Sequence, residues 1–198
     1  MQFDPKELTE KEVYKLLIGS VVPRPIAWVS TISTEGVVNL APFSFFNVAS
    51  RNPPMLCISI GPGVGEREGT EKDTLVNIPN QKEFFINVVP SSLGNEMQKT
   101  SENLPSDVDE FKAAGLTTIE SSIVKPKRVK EAPIQMECQL EQIIQLGSDY
   151  LVIGRMVRYH INDDYYLGNY KVDLEKLQPL GRFAENYSES REFFSLPR

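Results

Sequence analysis

Three groups of residues near the start of this 198-residue chain have the types and spacing for ligand chemistry. Ser30 and Thr31 close an apolar, β-branched run. Asn39-Leu40-Ala41-Pro42-Phe43-Ser44-Phe45-Phe46-Asn47 follows, with Ser50 and Asn52 behind it, so small hydroxyl and amide groups stand beside aromatic rings. Pro42 has no N–H to give a ladder and is expected to release the chain from its strand, leaving the amides of residues 43–47 in want of partners. A planar ligand rich in carbonyls and ring nitrogens would supply them, with aromatic side chains over its faces. The third group, Lys72-Asp73-Thr74, falls in the first turn of a predicted helix, where free N–H groups and the helix dipole favour a phosphate. Each group also has a plainer reading. Lys72 suits a solvated helix face, Asp73 a capping box with Thr70, and Ser44 and Asn47 a simple turn. Strand alternation forbids Phe43, Phe45 and Phe46 from all meeting one ligand.

The rest of the sequence narrows the chemistry. It contains no GxGxxG, GxSxG, Walker A or HExxH motif, and Gly61-Pro62-Gly63-Val64-Gly65, interrupted by proline, reads as a mobile loop. Any nicotinamide cofactor must therefore bind without a Rossmann domain. Cys57 and Cys138 stand singly in apolar runs, so a disulfide scaffold and a metal site are not expected. His160, the one histidine, ends a strand pattern, where a structural or interface role competes with a catalytic one. Trp28 lies in an apolar strand and reads as core. Against 27 acidic residues there are 21 basic ones, scattered along the chain, for a net charge of −6; nucleic acid is not an expected partner. No apolar run approaches the roughly 20 residues that span a bilayer. Met1-Gln2-Phe3-Asp4-Pro5 lacks the pattern of a signal peptide, so the cytoplasm is the expected location, with no membrane partner.

The elements that must position these groups are mainly strands. Residues 9–18 form an expected amphipathic helix opened by a Thr9/Glu12 capping box. Residues 26–32 and 37–41, around Ser33-Thr34-Glu35-Gly36, read as a hairpin, and 55–60 and 83–89 as further strands. Residues 134–146 and 150–161, joined at Gly147-Ser148-Asp149, predict a hairpin whose arms are about twice the usual strand length and so bend around a barrel. Helices are expected over 70–78, 92–103 and 108–114, the last ended by Gly115. Hairpins outnumber βαβ units, which favours a mainly β fold, an antiparallel barrel with helical insertions, as one domain over 1–198.

Pro23-Arg24-Pro25-Ile26-Ala27-Trp28-Val29-Ser30-Thr31, the segment 39–47 and Asn52-Pro53-Pro54 resemble the flavin reductase-like family of FMN-binding split-barrel proteins. That family includes flavoredoxins and reductase components of two-component monooxygenases. The likeness continues in order through Lys72-Asp73-Thr74, Phe84-Phe85-Ile86-Asn87-Val88, Glu137-Cys138, Gly147, Gly154, His160-Ile161 and Pro179-Leu180-Gly181-Arg182. One departure is Ala184-Glu185-Asn186 before Tyr187, where family members often carry glycines.

The resemblance implies an antiparallel split β-barrel and a homodimer with FMN near the subunit interface. It implies that Ser30 and Thr31 lie against the flavin or its ribityl chain. Ala41, Pro42, Phe43, Ser44, Phe45 and Asn47 would line the isoalloxazine, mainly through backbone atoms. Lys72 and Thr74 would meet the phosphate, with Asp73 orienting the turn. The implied activity is hydride transfer from NADH or NADPH to FMN, with a monooxygenase or another acceptor as partner. The alternative is a flavoredoxin-type FMN electron carrier that does not itself oxidise NAD(P)H. Hydride transfer requires placement of the nicotinamide and no general acid in its first step, so no catalytic residue is assigned. Arg182 is left between a ligand and a carboxylate across an interface.

Overall fold

In a computed structural model, which describes residues 1–190 and 192–197, the chain opens with α1 (Glu10–Ser20) and a short β1 (Arg24–Pro25). Strands β2 (Ala27–Ile32), β3 (Val38–Phe43), β4 (Phe46–Arg51) and β5 (Pro54–Ile60) follow. Next come α2 (Asp73–Gln81), β6 (Glu83–Val88), α3 (Gly94–Lys99), α4 (Glu110–Ala114) and the small pair β7 (Thr118–Ile119) and β8 (Arg128–Val129). The long ribbon β9 (Ile134–Leu146) and β10 (Asp149–Ile161) precedes α5 (Leu174–Leu177), β11 (Leu180–Phe183) and β12 (Asn186–Glu189).

One antiparallel sheet of seven strands, in the order β3-β2-β6-β9-β10-β5-β4, organises the molecule. Its two edge strands, β3 and β4, are consecutive in the chain and separated only by Ser44 and Phe45. The sheet must curl until its edges are that close, yet they do not pair. This is the antiparallel split barrel that the sequence predicts. Phe45 marks the seam: its carbonyl accepts from the Ser59 N–H at 2.8 Å. A smaller sheet, β1-β11-β12, joins the N-terminal and C-terminal segments.

β2 shows how the sequence divides the core. All its residues from Ala27 to Thr31 are inaccessible to solvent, because both faces of the strand are covered. Alternate side chains point to opposite faces. Ala27 and Val29 join Ile58, Ile60, Phe84 and Ile86 in one apolar cluster, which Leu75 and Ile78 of α2 complete. Trp28 enters a second cluster with Leu40, Met97 and Phe111 under α3 and α4, confirming its place in the core. Its indole N–H donates to Thr100 Oγ1 at 2.8 Å, so the buried ring keeps a partner.

Helix boundaries moved where hydroxyls found other partners. The Thr9/Glu12 capping box is present. Thr70, however, does not cap the next helix: its hydroxyl donates to the Arg67 carbonyl at 2.7 Å. The helix expected over 70–78 therefore starts at Asp73. The one expected over 92–103 shortens to a 3₁₀ turn and α3, and α4 begins at the Asp109 cap and ends at Gly115 with φ +75°.

The long ribbon bends through two register shifts, at Ile153/Gly154 and Met156/Arg158, as the arm lengths predict. Gly154 is required there by close packing. A Cβ at this position would fall 2.2 Å from Cζ of the fully buried Phe84 and 3.3 Å from Cβ of Cys138. Gly154→Ala is therefore expected to lower unfolding free energy by about 1–3 kcal/mol through overpacking, read as a lower urea midpoint at unchanged slope.

Candidate functional site

A cleft of about 140 Å³ opens between the end of β3, the loop around Gly63 and Val64, the start of α2, the 100–104 loop and α4. Of the eleven site residues read from the sequence, Ala41, Pro42, Phe43, Lys72, Asp73 and Thr74 line it. Two segments nearly thirty residues apart in sequence, 41–43 and 72–74, thus share one wall.

The start of α2 faces this cleft without a side-chain cap. Lys72 occupies the N-cap position, and Asp73, at the first helical position, turns its carboxylate to Arg67 instead. Arg67 grips it in a bidentate pair, Nη1–Oδ2 2.5 Å and Nη2–Oδ1 2.8 Å. That hydrogen-bonded pair raises the Arg67 pKa against the cost of burial. Lys72 lies with its ammonium 5.4 Å from the centre of the Phe43 ring. Burial lowers its pKa; Asp149 works against that shift and Arg67 adds to it. The first-turn amides and the Lys72 ammonium together make a donor set for an anion, while the Arg67 guanidinium is held by Asp73.

Beneath the cleft runs a buried network. The Asn39 amide satisfies its neighbours when its N–H donates to Glu110 Oε1 at 3.2 Å and its oxygen accepts from Thr31 and Thr74 hydroxyls at 3.3 and 3.1 Å. Asn77 Nδ2 donates to Thr31 Oγ1 at 3.0 Å, and the Leu40 N–H donates to Glu110 Oε2 at 3.2 Å. Thr31 thus stands beneath the cleft, fully buried. Ser30 points the other way and donates to the Lys127 carbonyl at 2.5 Å.

The link between the edge strands leads away from the cleft. Ser44 Oγ accepts from Arg24 Nε at 3.4 Å, and the Arg24 guanidinium sits 5.9 Å from the Phe45 ring centre. Asn47 is exposed on β4, with its Oδ1 accepting from the Val48 N–H at 2.8 Å. The expectation that amides 43–47 all lack ladder partners does not hold. Phe43 pairs with Ala27, and Phe46 and Asn47 pair with Ile58 and Cys57, because the chain re-enters the sheet two residues after leaving it.

Comparison with known proteins agrees with this architecture. Residues 18–178 match the model of the flavin reductase like domain. The chain belongs to the flavin reductase-like family. Nitrilotriacetate monooxygenase component B from Bacillus cereus is 39% identical, with a TM-score of 0.93 over 99% of this chain and 98% of that one. Pseudomonas fluorescens 2-nitrobenzoate 2-nitroreductase is 29% identical, with a TM-score of 0.87 over 100% of this chain and 96% of that one. An uncharacterized protein of Aquifex aeolicus is 41% identical over 187 residues, 94% of each chain.

Within this flavin reductase-like chain, Arg67, Glu110 and the 100–104 loop are cleft residues that the sequence reading missed. Arg67 and Glu110 belong to no local motif. Thr100, Ser101 and Asn103 do form a polar cluster, the one signal that could have drawn attention to their loop. Glu110 is only 7% exposed. Burial raises its carboxyl to about 7, against hydrogen bonds from its own and the Leu40 N–H that pull down; Asp73 and Asp109 push further up.

The two residues left open in the sequence lie in structural settings. Arg182 stacks on Tyr187, its guanidinium 4.2 Å from the ring centre. His160 Nε2 is 2.6 Å from Oε1 of the fully buried Glu137, which also accepts the N–H groups of Ser122, Ile123 and Val124 at 2.9, 2.7 and 2.9 Å. Burial alone would raise the Glu137 pKa. The Val124 N–H, His160 and the other two amides outweigh it and bring the carboxyl down to about 2.

Because the folded pKa lies below the unfolded one, Glu137 stabilises the fold above the unfolded value and loses that contribution as pH falls toward 2. The shift corresponds to at most about 3 kcal/mol. Urea unfolding from pH 6 down to pH 3 is expected to show a shallower loss of stability in Glu137→Gln than in the wild type. Equal slopes would remove Glu137 as an acid-sensitive anchor.

Proposed function

We propose that this chain is an NAD(P)H-dependent flavin reductase that binds FMN as a homodimer and serves a monooxygenase or another electron acceptor. The observation that carries this reading is the cationic, uncapped start of α2 beside the end of β3, in a chain of the flavin reductase-like family. Lys72, Thr74 and the first-turn amides of α2 would hold the phosphate, and Asp73 keeps Arg67 turned toward the same cleft. Ala41, Pro42 and Phe43 would continue along the ligand, with Ser44, Phe45 and Asn47 carrying its path past the seam of the barrel. Thr31 supports this wall from below. Ser30 packs on the opposite face, which makes it a scaffold residue in this reading.

Bound FMN would supply the redox chemistry, accepting a hydride from NADH or NADPH and passing electrons to the acceptor. The protein's part is positional. The α2 amides and Lys72 anchor the anionic end, and the rigid β3 backbone sets the direction in which the rest of the ligand leaves the cleft. Arg24 holds the Ser44 hydroxyl in place through a guanidinium that also donates to the Ile18, Val21 and Ala184 carbonyls.

The cleft supports the dimer as well. At about 140 Å³ it is smaller than the roughly 300–1,000 Å³ of a typical small-molecule pocket. The ring end of a flavin must therefore project past the seam, where Tyr14 of α1 and Phe45 approach to 6.4 Å and both remain exposed. Val48, on the unpaired edge of β4, is 64% exposed, and α1 buries only Ile18. A second copy would cover this apolar border and complete the site. The thiols Cys57 and Cys138 are unpaired, which suits a reducing compartment such as the cytoplasm.

Purified protein mixed with FMN is expected to retain a yellow chromophore through gel filtration and to bleach anaerobically on addition of NADH or NADPH. Bound flavin that stays oxidised with both nucleotides would favour the electron carrier. Lys72→Ala should weaken FMN binding roughly tenfold to a hundredfold, as expected for loss of a charge-assisted contact, and leave riboflavin binding unchanged. Light scattering at micromolar concentration should give twice the mass of the chain; a monomer would overturn the shared site.

A further inference from the structure

The charges of the cleft oppose an anion while all of them are present. Arg67 is matched by Asp73, both of its terminal nitrogens being engaged by that carboxylate. Lys72 is the remaining cation among the described lining residues. Against it stands Glu110, whose carboxyl accepts only neutral donors, its own N–H and, both at 3.2 Å, the Leu40 N–H and the Asn39 amide. No cation forms an ion pair with Glu110 among the described residues; Arg67 feels its charge but is bonded to Asp73. With Glu110 ionised, the lining carries three carboxylates, Asp73, Glu102 and Glu110, against Arg67 and Lys72, and a phosphomonoester dianion would enter a cleft of net negative charge. With Glu110 neutral, the acids left are Asp73, held by Arg67, and the solvent-exposed Glu102, and Lys72 and the α2 amides no longer face a buried carboxylate.

We propose that Glu110 makes anion binding in this cleft proton-linked: the phosphomonoester of FMN enters with Glu110 protonated, so that ligand and proton bind together. The inference rests on the reading that the FMN phosphate occupies this cleft. The proton comes from solvent and moves to a Glu110 carboxylate oxygen; no other bond is made or broken.

The surroundings of Glu110 support the linkage from every side. On α2, Asp73 repels a second negative charge, and on α4 itself Asp109 does the same. From the 65–67 turn Arg67 faces the group but is spent on Asp73, and Lys72 is the cation for which ligand and carboxylate compete. The 100–104 loop adds Glu102 at the cleft lining, and β3 offers only the neutral Leu40 and Asn39 donors. The carboxyl titrates at about 7 before any ligand arrives, so both protonation states are populated near neutral pH. A dianion in the cleft would raise that value further, and by reciprocity the proton strengthens the binding of the dianion.

The decisive experiment is calorimetric titration of FMN, and of riboflavin, into the intact protein at pH 7.5 in two buffers of different ionisation enthalpy. Wild-type protein should take up a substantial fraction of a proton, about half or more, with FMN and none with riboflavin. Its FMN dissociation constant should rise at least about tenfold between pH 7 and pH 9. Glu110→Gln should bind FMN with little proton uptake and a flatter pH profile. Lys72 is unchanged in that variant, so a pH dependence that persists in it belongs to Lys72 and overturns the assignment. The wild-type comparison of FMN with riboflavin stands even if the variant folds poorly. FMN binding without proton uptake removes this proposal alone, whereas wild-type protein that binds no FMN at any pH removes the flavin reading and the proposal with it.

Discussion

Two residues, Ser44 and Phe45, are all that separate the two edges of the seven-stranded sheet, and this short link constrains everything around it. A flat sheet of that width would hold its edges many strand spacings apart. The sheet must curl instead, and the bulges of the β9–β10 ribbon take up the bend on the far side. Curling creates an interior, and Leu75 and Ile78 of α2 enter the cluster that fills it. Once α2 is held by those side chains, the position of its first turn is settled: Lys72, Asp73 and Thr74 arrive beside the end of β3. The cleft is a consequence of the seam and of the helix that packs next to it.

That placement also explains the electrostatics. A helix start with no side-chain cap is unusual when Asp stands at hand to cap it. Here Asp73 is drawn off by Arg67, and Thr70, the other candidate, gives its hydroxyl to the Arg67 carbonyl. One arginine therefore engages both residues that would otherwise close the helix end, its side chain holding one and its backbone the other. The site keeps open amides and a lysine partly withdrawn from water. The cost is visible in Glu110, a buried carboxyl facing the same cleft with no ion-pair partner among the described residues.

Much of this was legible in the chain. β-branched runs and turn residues marked β2, β3, β5, β6 and the long ribbon, and the Thr9/Glu12 box marked the start of α1. The motif segments carried the family. What could not be read were choices between equivalent local partners. Thr70 and Asp73 have capping spacing, yet the loop that brings Arg67 to them is folded by contacts elsewhere, such as Asn103 Nδ2 donating to the Val64 carbonyl at 3.0 Å. Ser30 and Thr31 look alike in sequence, but strand alternation and two separate cores send one toward Lys127 and the other beneath the cleft. β4 is hidden in the sequence because Pro42 predicts a break there, whereas the chain re-enters the sheet at Phe46.

By itself, then, the sequence determined the family and the antiparallel class of the sheet, and it pointed to the segments 41–47 and 72–74, of which 41–43 and 72–74 meet in the cleft. These are properties of local residue order, because hydrophobic alternation, proline and turn chemistry act over a few positions. Tertiary structure alone decided that Arg67, Glu110 and the 100–104 loop join that region, that His160 serves Glu137, and that Ser30 is turned away from it. Those outcomes depend on which charges and hydroxyls meet across dozens of residues of chain. Such encounters are set by how the sheet curls and where α2 packs, and no local pattern encodes the resulting distances.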